Sequence, residues 1–271
     1  MCPGCNRIYP WRDGQLRCFV SATARVPLDI PLAQGPVEWP PWSPPPDGAW
    51  HDPAPPRTSP RQLSILASRG RRLDVLDWGC GRAEYRRPVA DLGHRYVGVD
   101  AEGQDADVLA DVHRLPFRAA AFDHVVTNAV LEHVANPFLA VAEVSRVLRS
   151  GGVFAGSAAF LEPYHHHSFF HLAPDGLLHV LRTAGLVVRG IWPEDGWLVF
   201  DSLAEMPGPV SAPTRWVLRR LGAFERRLRR YRLHPRVLAE GRRWLAARTP
   251  AEVHAERLVV SGQIDFLAEK P

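Results

Sequence analysis

Lysine is almost absent from this chain. Lys270 is the single one among 271 residues, and every other basic residue is arginine. A bias of that kind follows genome composition more readily than function. Cysteine is scarce as well, with Cys2, Cys5, Cys18 and Cys80 only. Four cysteines in a chain of this length do not make a disulfide-stapled scaffold, and a tight CxxC reads instead as metal or redox chemistry. No run of 18 or more apolar residues occurs, which excludes a membrane-spanning helix. No Arg- or Lys-led apolar stretch opens the sequence, so a secretory signal is not expected and the cytoplasm is the expected location. What is present is 46% hydrophobic residues, a net charge of +4 and a pI near 9.1. That composition suits one sizeable α/β domain with small additions.

Four regions differ in composition. Residues 1–26 carry the CxxC and a short apolar stretch. Residues 27–60 are rich in proline, with Trp39, Trp42 and Trp50 between the prolines. Proline lacks the amide hydrogen and fixes φ, so this stretch reads as an extended linker. Residues 61–200 alternate strand and helix signals. The strands are expected at Leu73–Asp77, His94–Asp100, Asp107–Asp111, Phe122–Asn128, Val153–Phe160 and Leu186–Trp192. Helices are expected at Ala83–Leu92, Pro137–Leu148 and Pro174–Ala184, the last two with Pro at the start and Gly just past the end. Such alternation implies a mostly parallel sheet covered on both faces. Residues 201–255 break the pattern, and Gly262–Glu269 returns as a final strand.

The chemistry concentrates at Leu76-Asp77-Trp78-Gly79-Cys80-Gly81-Arg82-Ala83. A strand ends in an acid, two glycines follow at alternate positions, and a helix is expected next. Glycine lets the backbone turn sharply and lets a ligand approach without a Cβ in the way. The helix N-terminus then offers its free N–H groups. Asp100 ends the following strand, roughly 20 residues on, where nucleotide-binding α/β folds place an acid on ribose hydroxyls. Either feature alone is common in structural turns; the two together point to a nucleoside-bearing cofactor.

The run VLDWGCGRAEY, then YVGVDAEG, then DVHRLPFRAAAFDHVVTNAVLEHVANPFLAVAEVSRVLRSGG resembles the class I methyltransferases of the methyltransferase type 11 family, over about residues 61–195. The resemblance implies a Rossmann-like α/β sheet of seven strands, with a helical insertion before the last one, and S-adenosylmethionine as cofactor. It places Asp77, Gly79 and Gly81 along the methionine end, with Cys80 in the same turn. It puts Asp100 on the ribose with Ala101 beside it, Asp111 and the Val112 N–H at the adenine, and Asn128 next to the methionyl and sulfonium region. Ala83 departs from the pattern, standing where many members have a third glycine; a residue this small should be tolerated. Glu132-His133 matches an LEH element, read here as packing the turn after the fourth strand.

Other motifs lie outside that match. Tyr164-His165-His166-His167, followed by His171, comes after the fifth strand, on the side where acceptors enter such folds. Three adjacent histidines cannot all point one way, so no metal is expected there. His165 or His167 is a candidate general base, since imidazole titrates near neutral pH; loop packing is the competing reading. Cys2-Pro3-Gly4-Cys5 and the residues after it resemble half of a Trm112-like zinc ribbon. A structural zinc wants four ligands, so the segment reads as a degenerate ribbon without metal. Between Arg215 and Arg248 stand twelve arginines against the acids Glu225 and Glu240. Val217, Leu221, Phe224, Leu228 and Tyr231 form one apolar helix face beside them. That segment is read first as a cap over the site, then as a peripheral contact to an anionic membrane. Nucleic acid comes last, because no aromatic stacking platform accompanies the arginines.

These readings converge on a methyltransferase acting on a small-molecule, glycan or lipid-linked acceptor. The alternative is a non-catalytic module of the same fold that binds cofactor or partner.

Overall fold

A computed structural model describes residues 11–18, 40–41, 58–165, 167–194, 199–205, 211–230, 254–255 and 258–271. A nine-stranded sheet organises them, in the order β1-β2-β5-β4-β3-β6-β7-β9-β8. The strands are β1 (Trp11–Arg12), β2 (Gln15–Cys18), β3 (Asp74–Trp78), β4 (Arg95–Asp100), β5 (Val108–Ala110), β6 (Phe122–Asn128), β7 (Leu148–Ala159), β8 (Val187–Pro193) and β9 (Gln263–Glu269). The helices are α1 (Pro60–Ala67), α2 (Arg86–Asp91), α3 (Pro137–Val147), α4 (Pro174–Thr183), α5 (Val199–Glu205) and α6 (Ala212–Arg230).

From β2 through β7 each neighbouring pair is parallel; β1 joins antiparallel, and β9 runs antiparallel between β7 and β8. The middle strands are covered on both faces, which is why β3 and β6 read as near-continuous apolar runs. Val75, Leu76, Trp78, Val125 and Val126 are all fully buried. Fully buried Ala140, Val141, Val144 and Val147 of α3 carry the core on from the sheet. That helix starts where its sequence says it should: Asn136 accepts from the Leu139 N–H at 3.1 Å and Pro137 occupies the first turn.

The seven-stranded core matches the sequence expectation, with small shifts at the element ends. α2 begins at Arg86 rather than Ala83, and β7 begins at Leu148 rather than Val153. Two strands are added to that core, because Trp11–Cys18 folds as a hairpin whose second strand pairs with β5 in the register Leu16↔Val108. Four residues of β2 give too little alternation to announce a strand. The expected linker also ends sooner than 60, since Pro60 is the first residue of α1. Cys2, Cys5, the linker tryptophans, Leu228 and Tyr231 lie wholly or in their side chains outside the described residues, and with them the CxxC of the ribbon and about half of the expected cap.

β3 and β4 grow away from β6 and β7, so the direction of crossover reverses between β3 and β6. Open α/β sheets place their ligand crevice at the carboxyl ends of the strands flanking such a reversal. At the opposite end of the sheet, Arg149 bridges Asp74 at 2.9 Å and Asp123 at 2.6 Å, and Arg71 also reaches Asp123. Burial opposes ionisation of Asp123, but these arginines and the Asp74 N–H outweigh it and hold the carboxyl down at about 2. That network ties β3, β6 and β7 together away from the crevice.

Candidate functional site

The turn after β3 is built by three residues with positive φ. Gly79 has φ +74° and Gly81 φ +52°. A Cβ on Gly79 would lie 2.4 Å from a methyl of Val130, so the loop after β6 presses directly on this turn. Gly81 has open space where a Cβ would go, and its N–H donates to Asp100 Oδ2 at 2.8 Å. Ala83 follows at φ +54°. Its left-handed backbone explains the glycine common at this place in related sequences: the conformation is accessible to alanine at a cost of about 1–2 kcal/mol.

Asp100 accepts at both oxygens, from Gly81 N–H and from Glu102 N–H at 3.2 Å. A carboxylate has about four lone-pair positions, so each oxygen can still accept one hydroxyl proton. Asp77 is buried, and the Tyr96 hydroxyl donates to its Oδ2 at 2.6 Å. Burial pushes its carboxyl up to about 7; the Tyr96 hydrogen bond works against this and the Asp100 charge adds to it. Cys80 is buried beside it, and burial raises its thiol well above the usual range. The absence of a side chain on Gly98 makes room for both groups: a Cβ there would meet the Tyr96 hydroxyl at 2.8 Å and the Cys80 Sγ at 2.9 Å.

Ala101 is exposed on the loop leaving β4. Asp111 accepts from the His113 N–H at 2.9 Å and approaches His113 Nδ1 at 2.7 Å. The Asn136 N–H donates to His113 Nε2 at 3.0 Å, so the ring proton sits on Nδ1 and is donated to Asp111. Val112 packs partly buried against the core. Asn128 ends β6, and its Oδ1 accepts from the Ser157 hydroxyl. The crevice therefore gathers Asp77, Gly79, Cys80, Gly81, Asp100 and Asn128 on the ends of β3, β4 and β6, with Asp111 beyond the end of β5.

S-adenosylmethionine fits this cradle on its own terms. Gly81 leaves an open face, Asp100 keeps acceptor capacity for a diol, and Asp77 offers a carboxylate next to both. Two contributors escaped the sequence reading. Tyr96, two residues before Gly98 and therefore on the same face of β4, reaches Asp77. Gln15, on β2, donates to the carbonyls of Gly103 at 2.7 Å and Ala106 at 2.8 Å, holding the loop after Asp100 from an unexpected strand.

A second cluster lies past the ends of β6 and β7. Glu132 is fully buried in the short helical turn Leu131–His133. Its Oε2 accepts from the Ala159 N–H at 3.4 Å, and its carbonyl accepts from Phe169 N–H at 2.6 Å and Phe170 N–H at 3.3 Å. Glu132 thus lies inside the turn that follows β6. Burial raises the Glu132 carboxyl to about 7, with the Glu162 charge adding to the effect. The two candidate bases part company. His165 joins the cluster, its ring 5.1 Å from that of His133, whereas His167 is exposed at φ +56°.

Residues 76–156 match the family model described as a methyltransferase domain. An uncharacterized chloroplastic methyltransferase of Arabidopsis thaliana is 34% identical over 163 residues, 47% of this chain and 46% of its own length. A probable S-adenosylmethionine-dependent methyltransferase of Mycolicibacterium smegmatis is 34% identical over 146 residues, 46% of this chain and 56% of its own. The chain thus spans about half the length of these relatives. Among solved structures, the [4+2]-cyclase SpnF aligns with a TM-score of 0.47 and 20% identity, over 83% of this chain and 86% of that one.

Proposed function

We propose that the protein transfers a methyl group from S-adenosylmethionine to a small-molecule, glycan or lipid-linked acceptor. The observation that carries this reading is the Asp100 carboxylate seated on the Gly81 N–H, beside the open face that Gly81 leaves in the turn after β3. The cofactor supplies an already activated methyl group on a positively charged sulfur. The chain's own residues bind and orient. Asp100 accepts the ribose hydroxyls, the Gly79–Gly81 turn lets the methionine portion approach the backbone, and Asp77 sets a negative charge near it. Asn128 borders the methionyl end, and Asp111 with the Val112 N–H faces the adenine. Alignment and exclusion of water account for most of the acceleration such a transfer needs, so a strong catalytic base is not required.

Isothermal titration with S-adenosylmethionine and S-adenosylhomocysteine tests this. We expect saturable binding of both, weakened in Asp100→Ala by on the order of 1–3 kcal/mol through lost hydrogen bonds. Wild-type protein that binds neither would overturn the enzyme reading in favour of a non-catalytic module. An Asp100→Ala variant with undiminished affinity would remove the ribose role.

A second reading concerns where the acceptor resides. On α6, Trp216, Val217, Leu221 and Phe224 are exposed along one side, and Arg220 stacks over Trp216 at 5.2 Å. An apolar stripe with aromatic residues amid arginines suits the headgroup region of an anionic membrane. This reading gives the protein a lipid-linked acceptor, met at that surface.

A further inference from the structure

We propose that Glu132, His133 and His165 form a binding site for a divalent first-row transition ion of the zinc class, outside the cofactor cradle. One ligand atom from each of the three lies within 4.8 Å of the others. Glu132 is fully buried, and its Oε1 has no hydrogen-bonding partner in the structure. A buried carboxylate oxygen without a donor is costly unless a cation meets it. The second oxygen is already occupied by the Ala159 N–H, so Oε1 is the one available to an ion.

His165 is held as a ligand histidine should be. Its Nδ1 donates to the Pro163 carbonyl at 2.9 Å, which fixes the tautomer and makes Nε2 the nitrogen that would meet a metal; a hydrogen bond from the other ring nitrogen to a carbonyl is the usual second-sphere arrangement. Glu162 Oε2 stands 3.7 Å from that Nε2, with both side chains nearly buried. Two carboxylates and two imidazoles thus share one enclosed place, where a divalent ion balances the charge. Mixed nitrogen and oxygen donors select zinc-like or other transition ions over magnesium or calcium, which take oxygen ligands. Zinc holds such donors at about 2.0–2.2 Å, so the three side chains must draw together on binding. His165 lies on the loop after β7 and can do so.

The sequence hid this site. The run of adjacent histidines drew attention to itself, but among its described residues His165 is the one that takes part, joined by Glu132 and His133 some thirty positions earlier. An ion here would clamp the loop after β7 onto the turn after β6, beside the place where Val130 presses on Gly79. The site stands apart from the methyl-transfer reading, and its test does not depend on turnover.

The test is titration of the chelator-treated full-length chain with cobalt(II) chloride, followed by its visible absorption. We expect one saturable ion whose bands are those of nitrogen and oxygen ligands, without thiolate-to-cobalt charge transfer. His165→Ala should weaken binding by at least about tenfold, as should Glu132→Gln. If Glu132→Gln fails to fold, His165→Ala alone decides. Absence of saturable binding, a thiolate charge-transfer band that assigns the ion to the cysteines, or unchanged affinity in His165→Ala would each overturn the proposal.

Discussion

Asp77 combines a folding liability with a binding role. Its carboxyl is pushed up to about 7 in the folded chain from the usual 3.8, because burial disfavours the charge. Between those two values the folded state holds a proton that the unfolded state has released. Stability therefore falls as pH rises through the window, and the full cost is present above about 7. Asp77→Asn keeps an acceptor for the Tyr96 hydroxyl and removes the charge. We expect that variant to be more stable than wild type by on the order of 1–3 kcal/mol at about pH 8, the gain shrinking towards pH 4. The same variant should bind S-adenosylmethionine less tightly at about pH 8. Thermal melts and titrations at the two pH values check both statements; a gain independent of pH would show that the carboxyl is not the cause. Asp77, Gly79, Gly81 and Asp100 were legible in the sequence because each owes its place to local geometry, a strand end or a glycine turn. Tyr96 and Gln15 were not, since their roles come from partners on other strands and loops.

At the scale of the element, the hairpin β1–β2 does more than lengthen the sheet. Gln15 is almost wholly buried and gives both amide hydrogens to the loop that follows Asp100. Gln15→Leu would leave two carbonyls, of Gly103 and Ala106, without those donors, at a cost of about 1–3 kcal/mol. The denaturant midpoint should drop accordingly and cofactor affinity should fall with it, because the loop carries Asp100. A lowered midpoint with intact affinity would confine the hairpin to a structural role. Periodicity and capping signals located α3, α4 and the five central parallel strands. They could not locate a four-residue strand, whose identity is set by its partner β5, more than ninety residues further along the chain, rather than by its own pattern.

Across the described residues, no helix is long and apolar enough to cross a membrane, and the exposed side of α6 is the part that a bilayer surface could meet. Flotation with phosphatidylglycerol vesicles, compared with phosphatidylcholine, tests the exposed side of α6. We expect association with the anionic vesicles alone, lost in Trp216→Ser/Phe224→Ser and weakened by Arg219→Glu/Arg220→Glu. Equal flotation of all forms would exclude α6 as the contact. The α/β class and the crevice were readable because alternating strands and helices leave few topologies open. The surroundings of the acceptor were not, since a helix with an apolar side reads the same whether a domain or a bilayer covers it. The position of β9 carries one more consequence. β9 (Gln263–Glu269), which follows β8 in the chain, lies between β7 and β8 and among the described residues is the one strand that links them in the sheet. During synthesis β8 has no neighbour in the sheet to pair with until β9 has also been made. The order of assembly is thus imposed by topology: the cofactor half can gather early, whereas the far edge of the sheet closes only once β9 is available.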